Sequence, residues 1–313
     1  DKYKQRLGRH TTANKTLISL ALASVVVLTW AASFIFIKFA LVEIPPMTLA
    51  FARFALATPV LIAITSFARP SREAMRLALT KEFWQFSALG LSGVTFLYVF
   101  QFYSLRFISA TQGSVIINLH AVFAMLLSAA FLNEALTARK TFGVLVAFSG
   151  VIVMTIGDIT TSSANFAPVG VLLMVGAALC WAAYSVFGKR VLHRYSDQVA
   201  TSCAFLLGTL FLIPFALSEG RMSTLVDSSW LVWVSIVFLA IPCSVIAYIF
   251  WNRLIREIEV TKVLVSLYVI PIPTAILSYV FLGETITYPL VLGAVLVIFG
   301  VYLTESSRSN HAI

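Results

Sequence analysis

The sequence predicts an all-α integral membrane protein: ten transmembrane helices, arranged as two inverted five-helix repeats around a central cavity. Three observations predict it. The first is composition. Of 313 residues, 60% are hydrophobic and 11% charged, with a mean hydropathy of +0.95. A soluble domain carries about 25% charged residues, so these charges cannot cover a water-facing surface. The second is a succession of ten apolar segments. The third is an echo within the chain: "TWAASFIFIK" at 29–38 returns as "CWAAYSVFGK" at 180–189, with Trp30 over Trp181 and Lys38 over Lys189.

A helix crossing a bilayer needs about 20 mostly apolar residues. The segments that qualify are 16–41, 47–67, 84–104, 109–132, 141–157, 168–190, 199–217, 230–251, 261–282 and 287–304. The first comes after a basic start (Lys2, Lys4, Arg6, Arg9, Lys15) yet runs on to Leu41. That is longer than the apolar core of a signal peptide, so it is read as a retained first helix. The connections are short and rich in breakers: "EIPP" at 43–46, "ARPSRE" at 68–73, "TTSSANFAP" at 160–168 and "SEGRMS" at 218–223. None is long enough to hold a soluble domain.

The basic residues set the orientation. If the N-terminus is cytoplasmic, the inner segments hold 18 of the 22 Lys and Arg. The outer loops then hold only Arg106 and Arg221, and Lys38 and Arg53 fall within spans. This bias predicts both termini in the cytoplasm, in a bacterial-type inner (plasma) membrane. It also accounts for the net charge of +9 without nucleic acid. The three cysteines, Cys180, Cys203 and Cys243, lie in apolar runs and form no metal or disulfide pattern.

The echo extends through the whole chain. "LNEALTARKTFGVLVAFSGV" (132–151) aligns with "LGETITYPLVLGAVLVIFGV" (282–301), pairing Gly143 with Gly293 and Gly150 with Gly300. Between these blocks Tyr98 aligns with Tyr248 and Arg106 with Arg256. Ordered matches at nearly one offset predict a duplicated unit, residues 1–157 and 168–313. Because five is odd, the second unit enters the membrane from the other side, and Arg106 outside against Arg256 inside agrees. Inverted repeats suit alternating access, in which two similar halves exchange conformations around a shared site. The prediction is therefore a transporter and not an enzyme.

At this point the chain resembles the EamA type of the drug/metabolite transporter superfamily. The resemblance is carried by "TWAASFIFIKFAL" (29–41), "FARFALA" (51–57), "FLNEALT" (131–137), "AYIFWNRLIREIEVTK" (247–262) and "PIPTAILSYVFLGETIT" (271–287), and it covers both repeats. It implies ten helices, a central substrate cavity and secondary transport, often export of amino acids or related metabolites. One departure stands out. The family has a proline in the middle of the fourth helix, as at Pro271 in the ninth; here that place holds Ala121, preceded by His120.

Polar groups deep in a span need a reason, because burying them in lipid is costly. His120, about 16 Å into its span at 1.5 Å per residue, is the only side chain in mid-span that titrates near neutral pH. It is open to two readings: a proton-exchanging group at the cavity, or a neutral histidine bonded between helices. Asn118 lies two residues earlier, and Tyr268 is its counterpart. Arg53 is suited to binding a substrate carboxylate, and equally to snorkelling or pairing with Glu43. Lys38 and its mate Lys189 read as end anchors or as charge-recognition groups. Trp30, Trp181, Tyr98, Tyr184 and Tyr248 are mid-span aromatics that either wall the cavity or pack helices. Pro271 and Pro273 each remove a backbone donor, which would free the carbonyls of Leu267 and Val269 and make a hinge. Gly143/Gly150 and Gly293/Gly300 suit close packing of the fifth and tenth helices. Glu134 and Glu284 read as caps or loop anchors.

Three rival readings compete with this one. An intramembrane serine hydrolase is suggested only by "GLSG" (90–93) with His120 as nominal partner. A channel needs a charged ring or carbonyl filter, and none is visible. An uncoupled metabolite uniporter needs no more than the cavity. No Asp lies in a span, which disfavours a carboxylate relay. No HExxH, Walker A or GxGxxG occurs, so no catalytic residue, metal or cofactor is predicted. The expected partners are the lipid bilayer and a small zwitterionic or amphipathic metabolite; monomer and homodimer both stay open.

Overall fold

The structure is a computed structural model and describes residues 2–132, 137–161, 167–192, 194–257 and 267–305. Among them every regular element is helical. The first two spans are α1 (Lys2–Leu41) and α2 (Pro46–Ser66). The third is built in series from α4 (Phe83–Gly90), a π-helical segment (Leu91–Phe96) and α5 (Leu97–Ser104). The fourth is α6 (Ala110–Ile116) and then α7 (Leu119–Leu132). Next come α8 (Ala138–Thr161), α9 (Ala167–Leu192) and α10 (Asp197–Ser218). The eighth repeats the pattern of the third: α11 (Trp230–Ala240), a second π segment (Ile241–Ile246) and α12 (Ala247–Glu257). The described chain ends with α13 (Pro271–Leu282) and α14 (Tyr288–Glu305). Eight helical stretches among the described residues are long and apolar enough to cross a membrane, and α13 and α14 are shorter apolar helices. The chain is an all-α integral membrane protein. The start of the expected ninth span, 261–266, and Glu134 lie outside the described residues.

One expectation needs correcting. "ARPSRE" does not mark a plain connection; it opens a helix, α3 (Arg69–Lys81). Pro70 sits in its first turn, where a missing N–H costs nothing. Met75 and Ala78, three apart, turn one face inward, while Arg69, Arg72, Arg76 and Lys81 stay on the outer side. The breaker is real, but it starts an amphipathic helix.

The tightest helix pair is α8 against α14. A Cβ added at Gly150 would lie 2.6 Å from the Gly293 carbonyl oxygen, and one at Gly143 would lie 2.7 Å from that of Gly300. Glycines seven apart share a face, and without side chains they let two backbones touch. The other face of α8 carries Phe142, Leu145, Ile152 and Ile156, all exposed as lipid-facing side chains would be. Between α2 and α10, hydroxyl pairs join the helices: Thr58 with Thr209 and Thr65 with Ser202, each at 2.9 Å.

At one end of the bundle three carboxylates satisfy amides at helix starts. Glu43 accepts from the Ser229 amide at 2.7 Å and its hydroxyl at 2.5 Å, bonds that hold the Glu43 carboxyl below its ordinary value. Glu219 accepts from the amides of Met47 and Thr48 at 3.0 and 2.9 Å, and from the Tyr103 hydroxyl at 2.8 Å. Glu284, read from sequence as a cap, accepts from the Ala110 amide at 2.8 Å and from the Ser278 hydroxyl. The first amides of a helix have no partner within it, and a carboxylate supplies both the acceptor and the favoured charge.

Candidate functional site

Both halves of the chain break their helices at matching places, and the breaks shape the site. In the fourth span the α-helical register fails at Ile117 and Asn118. The amides of Asn118, His120 and Ala121 reach only three residues back, to Val115, Ile117 and Asn118. Side chains then fill in: Asn118 Nδ2 donates to the Ser114 carbonyl at 3.0 Å, and His120 Nδ1 lies 3.1 Å from the Ile117 carbonyl. The equivalent break precedes α13. Pro271 is at its start rather than inside a helix. The carbonyls expected to be free are not: Leu267 accepts from Ile270 at 3.1 Å and Val269 from Ile272 at 3.0 Å. Tight turns recover the acceptors that proline releases.

The two π segments do the second part of the work. A π turn widens the helix and redirects the residues beyond it. Tyr98 and Tyr248 come just after these segments, and both turn into a shared cavity. The released carbonyls are again met by hydroxyls: Thr95 donates to Gly90 at 3.3 Å, and Ser244 to Leu239 at 2.9 Å.

About 630 Å³ of unoccupied space lies within and in front of the cavity, open solvent included. Trp30 is its aromatic hub. The Trp30 ring lies 6.2 Å from Trp181, 5.8 Å from Tyr248 and 5.5 Å from Trp251, and its Nε1 donates to the Cys243 carbonyl at 3.2 Å. Also in the lining is Arg53, only 3% exposed. Its Nε donates to Ser244 Oγ at 2.9 Å and an Nη to the Tyr98 hydroxyl at 3.3 Å. The guanidinium carbon lies 4.5 Å from the Tyr98 ring centre. No carboxylate among the described residues pairs with it. The suggested partner, Glu43, is taken by Ser229, so the Arg53–Glu43 pairing is overturned. A buried cation held by neutral hydroxyls beside a cavity is arranged to receive an anion.

Of the residues singled out from sequence, Trp30, Arg53, Tyr98, Asn118, Trp181 and Tyr248 line this cavity. Tyr268 is buried but does not line it. Tyr184 packs in a separate cluster with Phe86 and Cys203 and covers Gly93. Lys38 is half-buried near the Glu284 carboxylate; the side chain of Lys189 lies outside the described residues. His120 is behind the wall, stacked on Trp181 at 4.3 Å and 14°. His120 is not among the residues lining this cavity; its ring stacks on Trp181 and its Nδ1 serves the broken backbone. Ser92 of "GLSG" donates to Ala88 at 2.8 Å, while His120 Nδ1 is paired with the Ile117 carbonyl. Sequence reasoning missed Ser33, Gln101 and Ser114 in the lining. Gln101 was findable as an amide inside an apolar span; serines in such runs carry no distinguishing signal.

This placement gives an expected result. His120→Phe keeps a ring against Trp181 and loses one neutral hydrogen bond, about 1 kcal/mol of stability. Transport measured from pH 5 to 8 should keep the wild-type profile. A flattened profile would make His120 a titrating part of the cycle.

The sequence model of the EamA-like transporter family matches residues 17–156 and again residues 168–306. An uncharacterized transporter of Archaeoglobus fulgidus is 37% identical over 295 residues, 94% of this chain and 99% of that protein. A probable amino-acid metabolite efflux pump of Salmonella typhimurium is 27% identical over 291 residues, 90% of this chain and 93% of that protein. A probable terminal-alkyne amino-acid exporter of Streptantibioticus cattleyicolor is 26% identical over 283 residues, 88% of this chain and 90% of that protein. A solved crystal structure shares the fold, with a TM-score of 0.61 at 19% identity over 93% of this chain and 99% of that one.

Proposed function

The chain belongs to the EamA-like transporter family, and on that footing we propose that it is a secondary active exporter of amino acids or closely related metabolites. The observation that carries this reading is Arg53: a buried guanidinium at the cavity with no carboxylate partner among the described residues. The substrate carboxylate takes that place. Asn118 commits its Nδ2 to Ser114, which leaves Oδ1 as an acceptor for an ammonium group. Trp30, Trp181 and Tyr248 receive the apolar part. Supporting the substrate class, two relatives are named a probable amino-acid metabolite efflux pump and a probable terminal-alkyne amino-acid exporter.

The transport cycle is alternating access between two inverted five-helix repeats, 1–157 and 168–313, with both termini cytoplasmic. Supporting it are the doubled family match, the π segments at Leu91–Phe96 and Ile241–Ile246, 150 residues apart, and the paired breaks near 117 and 267. A reporter fused after Ile313 reads the side of the C-terminus.

Counterflow in proteoliposomes tests the carrier reading across a panel of amino acids. Loading unlabelled substrate inside should accelerate entry of labelled substrate, because a loaded carrier returns with cargo. Entry that ignores internal substrate would indicate a channel instead, and no response to any amino acid would reject the substrate class.

A further inference from the structure

We propose that Ser244 is a positioning residue that aims the Arg53 guanidinium into the cavity, and that it does so from the opposite half of the protein. This rests on the carboxylate reading of Arg53. Ser244 is fully buried, with 0% exposure, and does not line the cavity. Its hydroxyl has one proton and two acceptor sites. The proton is committed to the Leu239 carbonyl at 2.9 Å, inside the wide turn of the second π segment. An acceptor site is therefore fixed in direction, and Arg53 Nε–H occupies it at 2.9 Å.

A guanidinium is a rigid planar fork, so holding Nε sets where both Nη groups point. With Nε turned to Ser244, the Nη side lies along Tyr98, a residue of the cavity wall. An Arg on a flexible stem would lose affinity by searching for this pose; one already aimed does not. The anchoring also crosses the protein. Arg53 and Tyr98 come from the first half and Ser244 from the second, so the fork is aimed only while α2 rests against the second π segment. Movement of one half past the other loosens the aim and releases the carboxylate.

The full-length detergent-purified protein tests this with matched ligand pairs: each of the twenty L-amino acids and its α-carboxamide. An acid that binds the wild type should bind Arg53→Gln more weakly, while its amide is little changed. Ser244→Ala should raise the Kd of the acid about tenfold, the scale of one charge-assisted bond, and leave that of the amide nearly constant. Ser244→Thr, which restores a hydroxyl, should recover the acid. Unchanged amide binding shows that the Ala variant still folds. If Arg53→Gln separates acid from amide but Ser244→Ala weakens both equally or neither, Ser244 only fills space and the inference fails alone. If Arg53→Gln separates no acid from its amide, the carboxylate reading fails and takes this inference with it.

Discussion

Arg53→Gln is expected to lose transport while the protein keeps or gains stability. Arg53 is 3% exposed, and its hydrogen-bond partners among the described residues are hydroxyls alone, those of Ser244 and Tyr98. A buried, unpaired cation is costly to the folded state. Removing the charge removes that cost, so the melting temperature of the purified protein should hold or rise. Substrate affinity should fall at least about 100-fold, because two charge-assisted hydrogen bonds of about 1.5–3 kcal/mol each are at stake. Arg53→Lys should recover little, since an ammonium can neither bond Ser244 through Nε nor grip a carboxylate with a planar fork. Stability and affinity moving in opposite directions is the mark of a functional charge. A melting temperature that drops while affinity holds would make Arg53 a structural residue, and the proposed substrate recognition would fall.

Gly150→Leu should collapse the contact between α8 and α14. Even a single added carbon at Gly150 would sit 2.6 Å from the Gly293 carbonyl oxygen and 2.8 Å from the Val297 amide nitrogen. These are backbone atoms and cannot rotate away. Overpacking a tight contact costs about 1–3 kcal/mol where side chains can shift, and here the helices themselves must separate. Little monodisperse protein should survive size-exclusion chromatography in detergent. Gly188→Ala is the matched control: its added carbon would meet only Leu89 Cδ2 at 3.5 Å, an ordinary contact. A Gly150→Leu protein as monodisperse and heat-stable as wild type would show that α8 and α14 separate freely.

The glycine contact was legible in the chain because a seven-residue spacing in two aligned segments has one economical meaning on a helix. Glu284 was legible as a cap or loop anchor from its place at a span end, but the helix start it caps, at Ala110, was not. Arg53 was visible as a charge in an apolar run, yet its partner was not: Glu43, near in sequence, bonds Ser229, and Ser244 lies 191 residues away. Tyr98 and Tyr248 were found by matching the repeats. The first π turn was invisible, since little in "LSGVTF" sets it apart from an ordinary apolar helix; the second carries one signal, Pro242 in "IPCSVI".

Composition, the ten apolar segments and the ordered echo of one half in the other were sufficient for an all-α membrane protein, because lipid allows a continuous apolar segment almost no other structure. Folding contacts settled which helices break and what the deep polar side chains do. Pro271 announces a break in the second half, but the first half breaks at the same place with Ala121 there instead. With no proline to remove a donor, that break depends on packing around it, and on Asn118 and His120 turning back to the Ser114 and Ile117 carbonyls. Sequence shows that a polar group lies deep in a span. Whether it faces a cavity, a carbonyl or a ring depends on a modest rotation of its helix, and that rotation is set by neighbours distant in the chain.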